Sequence, residues 1–368
     1  MFRLTTVSAA NVQPTTNYKQ SEALMPELLS IDEISRETGL EESLLRFYES
    51  EFPEEFPQKQ WRGDGLAFDP KAVDSFKKVH ALYSGQRQDG LASGRAAGRF
   101  ARVIAVTSGK GGVGKTNIAL NLAIEFQRFG KMCVLLDADL GMANVHLLAG
   151  LNPGHDIGEV LTGNRSVSDI VQDGPEGIGI IPGGGGILAL ADSTKQDRLR
   201  ILRGLESIER KADIILVDTG AGMGASVRDF LKSADEVILV LTSEITSLAD
   251  GYGLLKAMAQ DREFAGKPLY TVINMANGLR QAAEAANRFS GCVKQFLNRE
   301  VKSAGYILRD STVSAATMRR IPYSVFKPQS RVSINTRNIA ARLLKEEMPE
   351  IKLSSAFGRY LNMLMEQH

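Results

Sequence analysis

A glycine-rich stretch, SGKGGVGKT at residues 108–116, has the residue types and spacing best suited to binding a nucleotide. From Gly109 to Thr116 it fits the pattern G-x-x-x-x-G-K-[ST], in which backbone N–H groups surround phosphate oxygens. The strand-like run RVIAVTS precedes the loop, and an amphipathic helical segment follows it. Because a helix that begins at such a loop also directs its positive dipole end at the phosphates, this context predicts a phosphate-binding loop.

The residues of this loop have distinct expected roles. Its glycines allow the backbone to approach phosphate oxygens without steric conflict from a Cβ atom. Lys115 is expected to contact the β- and γ-phosphates of ATP, and the Thr116 hydroxyl is expected to coordinate Mg²⁺. The nucleotide-binding positions predicted within the loop are Gly109, Gly111, Gly112, Val113, Gly114, Lys115 and Thr116.

Lys110 is a second lysine in the same short turn. Since Lys115 already serves the phosphates, the Lys110 ammonium is expected to point away from its own nucleotide. The simplest explanation is that it crosses a two-fold axis and offsets charge between the β- and γ-phosphates of a partner subunit. The segment KGGVGKT resembles the modified phosphate-binding loop of the MinD/ParA ATPases, which form ATP-dependent dimers. That resemblance implies a homodimer with ATP and catalytic roles for Lys110 and Lys115.

Three aspartates follow apolar runs. Asp137 and Asp139 end the run LLDAD, and Asp218 ends DIILVD. Carboxylates beside a triphosphate with Mg²⁺ fit two tasks, namely positioning the attacking water and supporting the metal ion. Asp218 has the position of a Walker B carboxylate, which holds Mg²⁺ through water. The family resemblance assigns water activation to Asp139 and places Asp137 near the metal, so the implied metal residues are Thr116, Asp137 and Asp218.

The elements that must position these residues are strand-like runs that alternate with helical patterns from residue 101 onward. The runs are RVIAVTS, MCVLLDAD, GIGIIPG, DIILVDTG, EVILVLTS and LYTVIN. They are continuous and rich in Val and Ile, which is typical of strands buried on both faces of a parallel sheet. The pattern predicts an α/β fold with a mostly parallel, doubly wound sheet that binds its ligand at the carboxyl ends of the strands.

A longer resemblance, over residues 101–345, is to the FlhG branch of MinD-like ATPases, also called FleN or YlxH. It is carried by stretches such as DADLGMANVHLLAGL and VDTGAGMGASVRDFLKSADEVILVLTS. Asn117, which follows the loop threonine, matches this branch, and Asn274 resembles the asparagine that binds adenine in these ATPases. The resemblance implies a regulator of flagellar number or placement whose partner is an FlhF-like GTPase or a flagellar basal-body protein. A division or partitioning role for the same kind of switch stays open.

Residues 30–83 resemble the winged helix-turn-helix of MerR-type regulators, in ISRETGLEESLLRFYESEFP and FDPKAVDSFKKVHAL. In that family the second helix enters the major groove of DNA. From Glu22 to Glu55, however, eleven acidic residues accompany only two arginines, and acidic residues oppose contact with DNA phosphates. Two interpretations follow. In the first, the module binds DNA, and the chain is a nucleotide-gated transcription or partitioning regulator. In the second, the module docks to a protein or inhibits the ATPase domain.

The spacing of apolar residues in 354–368 predicts an amphipathic helix with Phe357, Leu361 and Leu364 on one face. FlhG proteins end in a membrane-targeting helix. Arg359 is the only basic residue of this one, so packing onto the domain and transient membrane contact are equal alternatives.

The composition limits the remaining classes of function. A net charge of +1 over 368 residues provides no general attraction for nucleic acid, and two distant cysteines predict neither a disulfide framework nor a structural zinc. No signal peptide or membrane-spanning run is visible, which predicts a cytoplasmic protein.

The predicted organisation is a disordered N-terminus (1–27), a MerR-like domain (28–83), a linker (84–100), the ATPase domain (101–353) and the C-terminal helix (354–368).

Overall fold

A computed structural model describes residues 28–40, 42–51, 56, 59–62, 65–84, 100–139, 143–183, 195–345 and 354–366. The chain divides into two compact units between Lys77 and Lys78. The predictions made for residues 1–27 and for most of the linker lie outside the described residues.

The first unit has the secondary structure of a winged helix-turn-helix. Its elements are β1 (Leu29–Ser30), α1 (Ile31–Thr38), α2 (Glu42–Glu51), β2 (Lys59–Arg62), β3 (Gly65–Phe68) and α3 (Ala72–Ser84), the last of which contains the division between the units. Ser30 and Glu33 form a capping box that starts α1, and Gly39 ends it at φ 71°. The strands pair antiparallel in the order β1-β3-β2. These elements agree with the resemblance of residues 30–83 to a winged helix-turn-helix.

The second unit is an α/β domain. Its strands are β4 (Arg102–Ser108), β5 (Cys133–Ala138), β6 (Gln172–Asp173), β7 (Gly179–Ile181), β8 (Ile214–Ala221), β9 (Glu236–Thr242), β10 (Leu269–Ala276) and β11 (Lys302–Leu308). Its helices are α4 (Lys115–Arg128), α5 (Val145–Leu148), α6 (Ile157–Leu161), α7 (Lys195–Glu209), α8 (Ala225–Ser233), α9 (Ile245–Met258), α10 (Arg262–Ala265), α11 (Leu279–Leu297), α12 (Ser311–Met318), α13 (Tyr323–Phe326), α14 (Arg331–Lys345) and α15 (Ala356–Glu366).

The sheet has the strand order β11-β10-β9-β4-β8-β5-β7-β6. Every neighbouring pair is parallel except β6 and β7. Strands β4 and β5 are buried along their whole length, as expected for strands that helices cover on both faces. The predicted fold class is therefore confirmed.

The sheet register brings the predicted acidic residues together. β4 lies between β9 and β8, and β8 lies between β4 and β5. Asp137 of β5 is directly opposite Asp218 of β8, which in turn is opposite Val106 of β4. The phosphate-binding loop and two of the three aspartates therefore meet at the carboxyl edge of the sheet, which is where open α/β sheets bind ligands.

The C-terminal helix α15 packs on the domain through its apolar face. It contacts α7 and α8, and Phe357, Tyr360 and Leu361 are buried. The carboxylate of Glu209 accepts hydrogen bonds from the N–H groups of Ala356 and Phe357, at 2.7 and 3.3 Å, and from the Ser355 hydroxyl at 2.5 Å. The structure thus shows the packed alternative. Among the residues described, no helix combines the length and apolar character needed to cross a bilayer.

Glu209 is fully buried, so its replacement should release this helix. We expect Glu209→Ala to destabilise the domain by about 2–4 kcal/mol, because several buried donors lose their acceptor. Urea unfolding followed by circular dichroism measures the loss, and limited proteolysis reports exposure of residues 354–366. Glu206→Ala on the same helix is the control, since Glu206 pairs with the exposed Arg210 and should cost less than about 1 kcal/mol. Equal losses in the two variants would contradict the assigned role of Glu209.

The phosphate-binding loop packs directly against α9. A Cβ atom added at Gly109 would lie 2.3 Å from the carbonyl carbon of Asp250 and 2.5 Å from the backbone nitrogen of Gly251. At Gly111, by contrast, an added Cβ would meet no atom of the described residues within 4 Å. The first glycine of the loop is therefore required by helix packing.

This difference in packing predicts that two alanine substitutions will affect stability differently. Gly109→Ala should destabilise the nucleotide-free protein by about 2 kcal/mol or more, because backbone cannot move aside cheaply. Gly111→Ala should change stability by less than about 0.5 kcal/mol. Thermal unfolding without nucleotide compares them, and a Gly109→Ala protein that unfolds at the parent temperature would refute the packing explanation.

Candidate functional site

The loop between β4 and α4 uses its four glycines in different ways. Gly112 and Gly114 have φ values of 79° and 88°, a conformation that favours glycine. Gly114 also precedes the first residue of α4. Gly109 is needed for packing against α9, and Gly111 has neither a positive φ nor a close neighbour. Gly109, Gly112 and Gly114 thus have packing or conformational reasons to be glycine, and the approach of phosphate to all four glycines stays a prediction.

Lys115 is the first residue of α4, and its side chain lies among the aspartates. Its ammonium is 3.0 Å from Oδ1 of Asp218 and 3.9 Å from Oδ2 of Asp139. Lys115 is only 6% exposed and Asp218 is fully buried, so each charge depends on the other for compensation. Burial raises the pKa of Asp218, while Lys115 and the Thr116 hydroxyl oppose that shift.

Asp137 is a buried carboxylate at the end of β5. Its Oδ2 accepts a hydrogen bond from the Val145 N–H at 3.0 Å, and its Oδ1 accepts one from the Asp139 N–H at 3.3 Å. Burial and the neighbouring Asp218 carboxylate raise the pKa of Asp137 to about 7. Asp137 therefore links the strand end, the aspartate pair and the start of α5.

The carboxylates suit a divalent cation that the nucleotide helps to hold. Asp218 Oδ2 is buried and has no hydrogen-bond partner among the described residues, and such an atom fits a hydrogen bond from a metal-bound water. Within the part of the chain that the structure describes, no three His, Cys, Asp or Glu side chains are arranged to hold a metal ion by themselves. Mg²⁺ is commonly bound through one or two carboxylates together with substrate phosphates and water. The residues therefore fit Mg²⁺ delivered with a nucleotide.

The Lys110 side chain contacts the segment that follows β9. Its ammonium is 3.2 Å from Oε2 of Glu244 and 3.3 Å from the Thr246 hydroxyl. The Lys110 side chain is 42% exposed, and that of Glu244 is 65% exposed. Sequence reasoning did not identify Glu244 or Thr246. Their position directly after the strand next to β4 was the available signal.

Asn274 lies against the phosphate-binding loop. Its Nδ2 donates to the Val113 carbonyl at 2.7 Å, and its Oδ1 accepts from the Met275 N–H at 2.8 Å. Met275 has a φ of 57°, which is unusual for a residue with a side chain. The side-chain amide thus holds the loop through backbone contacts, and its suggested role in binding adenine stays a prediction.

The other predicted positions lie at the start of α4. Val113 is buried, whereas Thr116 and Asn117 are partly exposed in the first turn. The Asn117 carbonyl accepts a hydrogen bond from Asn121 at 2.8 Å. The structure therefore brings together the loop, Lys115 and the three aspartates, with Lys110 at the exposed rim.

Comparisons with known proteins show the family to which the chain belongs. A family model described as an AAA domain matches residues 101–263, and a model for MerR HTH family regulatory proteins matches residues 29–87. The antiactivator FleN of Pseudomonas aeruginosa is 34% identical over 250 residues, which cover 67% of this chain and 88% of FleN. The flagellum site-determining protein YlxH of Helicobacter pylori is 29% identical over 270 residues, which cover 72% of this chain and 90% of YlxH.

A solved structure supports the same conclusion. The septum site-determining protein MinD of Pyrococcus horikoshii, complexed with Mg-ADP, has a TM-score of 0.56 and 25% identity, covering 67% of this chain and 96% of MinD. The chain is an ATPase that binds ATP. It belongs to the MinD/ParA-type ATPases, in the branch of FleN and YlxH, and carries a MerR-type helix-turn-helix domain at its N-terminus.

Proposed function

We propose that the chain is a switch that dimerises when it binds ATP with Mg²⁺ and separates after hydrolysis to ADP and phosphate. The observation that carries this proposal is the position of Lys110, whose ammonium is exposed at the rim and is not joined to Asp139 or Asp218. A cation there is placed to reach a nucleotide on a facing subunit.

The surface around Lys110 supports a face-to-face contact. β8 and β9 flank β4 on its two sides. Met223, which follows β8, is 52% exposed, and Ile245, which follows β9, is 73% exposed. Large exposed apolar residues around a cofactor site are typical of an interface. Two copies that meet at this edge would cover these side chains together with both nucleotides.

Each residue has a role in the proposed hydrolysis. Mg²⁺ supplies charge neutralisation between the β- and γ-phosphate oxygens when it is bound, and Thr116, Asp218 and Asp137 are the residues that would hold it. Lys115 binds the phosphates from within the same chain. Asp139, whose side chain is 25% exposed, orients the attacking water, because it is the most accessible carboxylate of the three.

The names of the relatives suggest the cellular output. FleN is called an antiactivator and YlxH a flagellum site-determining protein. We therefore propose regulation of flagellar number or placement in the cytoplasm, through an FlhF-like GTPase or a flagellar basal-body protein. Membrane contact through residues 354–368 would first require α15 to leave α7 and α8.

The dimer proposal is tested by replacing Lys110 in a protein that cannot hydrolyse ATP. Asp139→Ala should keep ATP bound and accumulate as a dimer with ATP and Mg²⁺. Adding Lys110→Ala should leave it monomeric, because the charge between the facing phosphates is no longer offset. Sedimentation velocity with and without ATP measures the two states. Lys211→Ala, at an exposed lysine away from the loop, is the control. A dimer that forms with ATP despite Lys110→Ala would disprove the proposal.

A second candidate function is a nucleotide-gated DNA-binding regulator, and the match of residues 29–87 to MerR HTH proteins favours it. If α2 reads DNA, a double Arg46→Gln, Lys59→Gln variant should weaken sequence-specific binding at least tenfold, because both lie in the helix-turn-helix or its wing. Selection of preferred duplexes from a random pool, followed by gel shifts, provides the measurement. Lys77→Gln on α3 is the matched control. Recovery of no preferred sequence would rule out this function.

A further inference from the structure

A short turn between α12 and α13 joins two helices that border the nucleotide site. We call residues 320–324 the brace, which begins after α12 and ends within α13. Its last residue is hydrogen-bonded to α4, the helix that begins with Lys115, and its first residue is hydrogen-bonded to α5, the helix that begins with Val145. The brace therefore connects the helix of the phosphate-binding loop to the helix that follows Asp137 and Asp139.

The α4 end of the brace is held by a buried asparagine. Asn121 is fully buried on α4, and its Oδ1 accepts a hydrogen bond from the Ser324 N–H at 2.8 Å. Its Nδ2 donates to the Asn117 carbonyl in the first turn of the same helix at 2.8 Å. Because Ser324 is also fully buried, loss of this acceptor would leave a backbone donor without a partner away from water. Asn121 thus fixes the brace to the turn of α4 that follows the phosphate-binding loop.

The α5 end of the brace is held by the Arg320 guanidinium. This group donates to the carbonyls of Leu147 and Leu151 at 3.2 and 2.8 Å, and to Oδ1 of Asn152 at 3.1 Å. The three oxygens lie in α5 and in the turn that follows it. Arg320 is exposed, so each bond is weak by itself, but three bonds from one planar fork restrict the guanidinium to a single position.

The backbone of the brace is seated against the same turn. Gly150 follows α5 at a φ of 73°, and a Cβ atom added to it would lie 2.7 Å from the Arg320 carbonyl oxygen. Arg320 itself has a φ of 55°, which is uncommon for a residue with a side chain. Such a conformation persists where the surrounding contacts specify it. Side chain and backbone of Arg320 are therefore both fixed against the end of α5.

The position of α5 matters for the aspartates of the nucleotide site. Asp137 accepts the Asp139 N–H at 3.3 Å and the Val145 N–H at 3.0 Å. One carboxylate therefore holds the backbone at both ends of the segment between β5 and α5. Since α5 has only four residues, an arginine that holds its end also limits how far Val145 can move from Asp137.

We propose that Arg320 is a positioning residue of the ATPase site, which acts through α5 on Asp137 and Asp139. Its acceptors lie on α5 and in the turn after it, so its effect reaches the two carboxylates through the backbone. The proposal rests on the roles given above to the aspartates but not on dimer formation. A measurement on the nucleotide-free protein therefore tests the brace separately from those roles.

The first test replaces Arg320 by asparagine, which tolerates a positive φ and lacks the guanidinium. Hydrogen exchange of the full-length, nucleotide-free protein, followed by mass spectrometry, measures the protection of peptides within residues 143–152. Their exchange should become about threefold faster or more in Arg320→Asn, because α5 opens more often without the donor that holds its end. Peptides of α11 serve as the internal reference and should exchange at the parent rate.

Steady-state ATP hydrolysis with saturating Mg²⁺ is the second measurement. The kcat of Arg320→Asn should fall about tenfold, because a small displacement of Asp139 is costly for an oriented attack. The KM for ATP should change by less than about twofold, because the phosphate-binding loop and Lys115 keep their own contacts. Melting followed by circular dichroism checks the fold, and the variant should melt within about 3 °C of the parent.

Two further variants separate the guanidinium fork from its charge. Arg319→Asn removes the same charge one residue away, where the side chain donates to the Ala315 carbonyl at 3.0 Å and lies 5.2 Å from the centre of the Phe326 ring. It should match the parent in both measurements. Arg320→Lys keeps the charge without the fork and should lose roughly half or more of the protection and of kcat. The lysine variant also serves as the test should Arg320→Asn melt early.

Four results would overturn the proposal. Exchange within residues 143–152 could stay at the parent rate in Arg320→Asn, which would show that other contacts hold α5. Faster exchange with an unchanged kcat would limit the arginine to a structural role. Equal losses in Arg319→Asn would indicate an effect of charge alone, and so would an Arg320→Lys protein that behaves as the parent does.

Discussion

A lysine buried among carboxylates sets the requirements for the rest of the nucleotide site. Lys115 is 6% exposed, and a buried ammonium without a partner would cost several kcal/mol, on the order of the desolvation penalty of an ion. Asp218 provides the partner at 3.0 Å. Asp137 and Asp139 then add negative charge that one lysine cannot offset, and burial together with the neighbouring Asp218 carboxylate raises the pKa of Asp137. In the proposed switch, a triphosphate bound with Mg²⁺ would relieve this imbalance, because Lys115 would bind phosphate and the carboxylates would help to hold the cation.

The parallel sheet makes that arrangement possible because it sets where each charge appears. Asp137 and Asp218 are paired in register on neighbouring strands, directly after residues that are buried on both faces. A shift of one residue would move a carboxylate into the apolar core, so the hydrophobic pattern of the strands specifies the register strongly. The Asp137 carboxylate also accepts the Val145 N–H, which couples the start of α5 to the same charges. A change at the phosphates can therefore reach α5 through one hydrogen bond.

Much of the fold and of the nucleotide site could be predicted from the sequence. The remainder depends on contacts between residues that are distant in sequence. Continuous apolar runs predicted six strands, from RVIAVTS to LYTVIN, and their polar ends predicted the site. Strand β11 was not predicted, because KSAGYIL begins with exposed residues and contains Gly305 at φ 140°, as an edge strand tolerates.

The contact of Gly109 with Asp250 joins residues 141 positions apart, so the pattern G-x-x-x-x-G-K-T could not reveal that this glycine serves packing. The amphipathic pattern of the last helix likewise left packing and membrane contact open, whereas the buried Glu209 carboxylate at its start identifies the packed state.

The pairing of Lys110 with Glu244 bears on what controls dimer formation. The two side chains are 42% and 65% exposed, and an exposed ion pair of this kind contributes about 0–1 kcal/mol. That is too little to hold Lys110 against a facing triphosphate, whose several charges would act in a space from which water is excluded. In the proposed switch, Glu244 would therefore orient Lys110 at the rim without preventing its transfer to a partner subunit. In the proposed switch, control of dimerisation lies with the nucleotide, since only ATP supplies enough negative charge on both subunits to draw the two lysines across the interface.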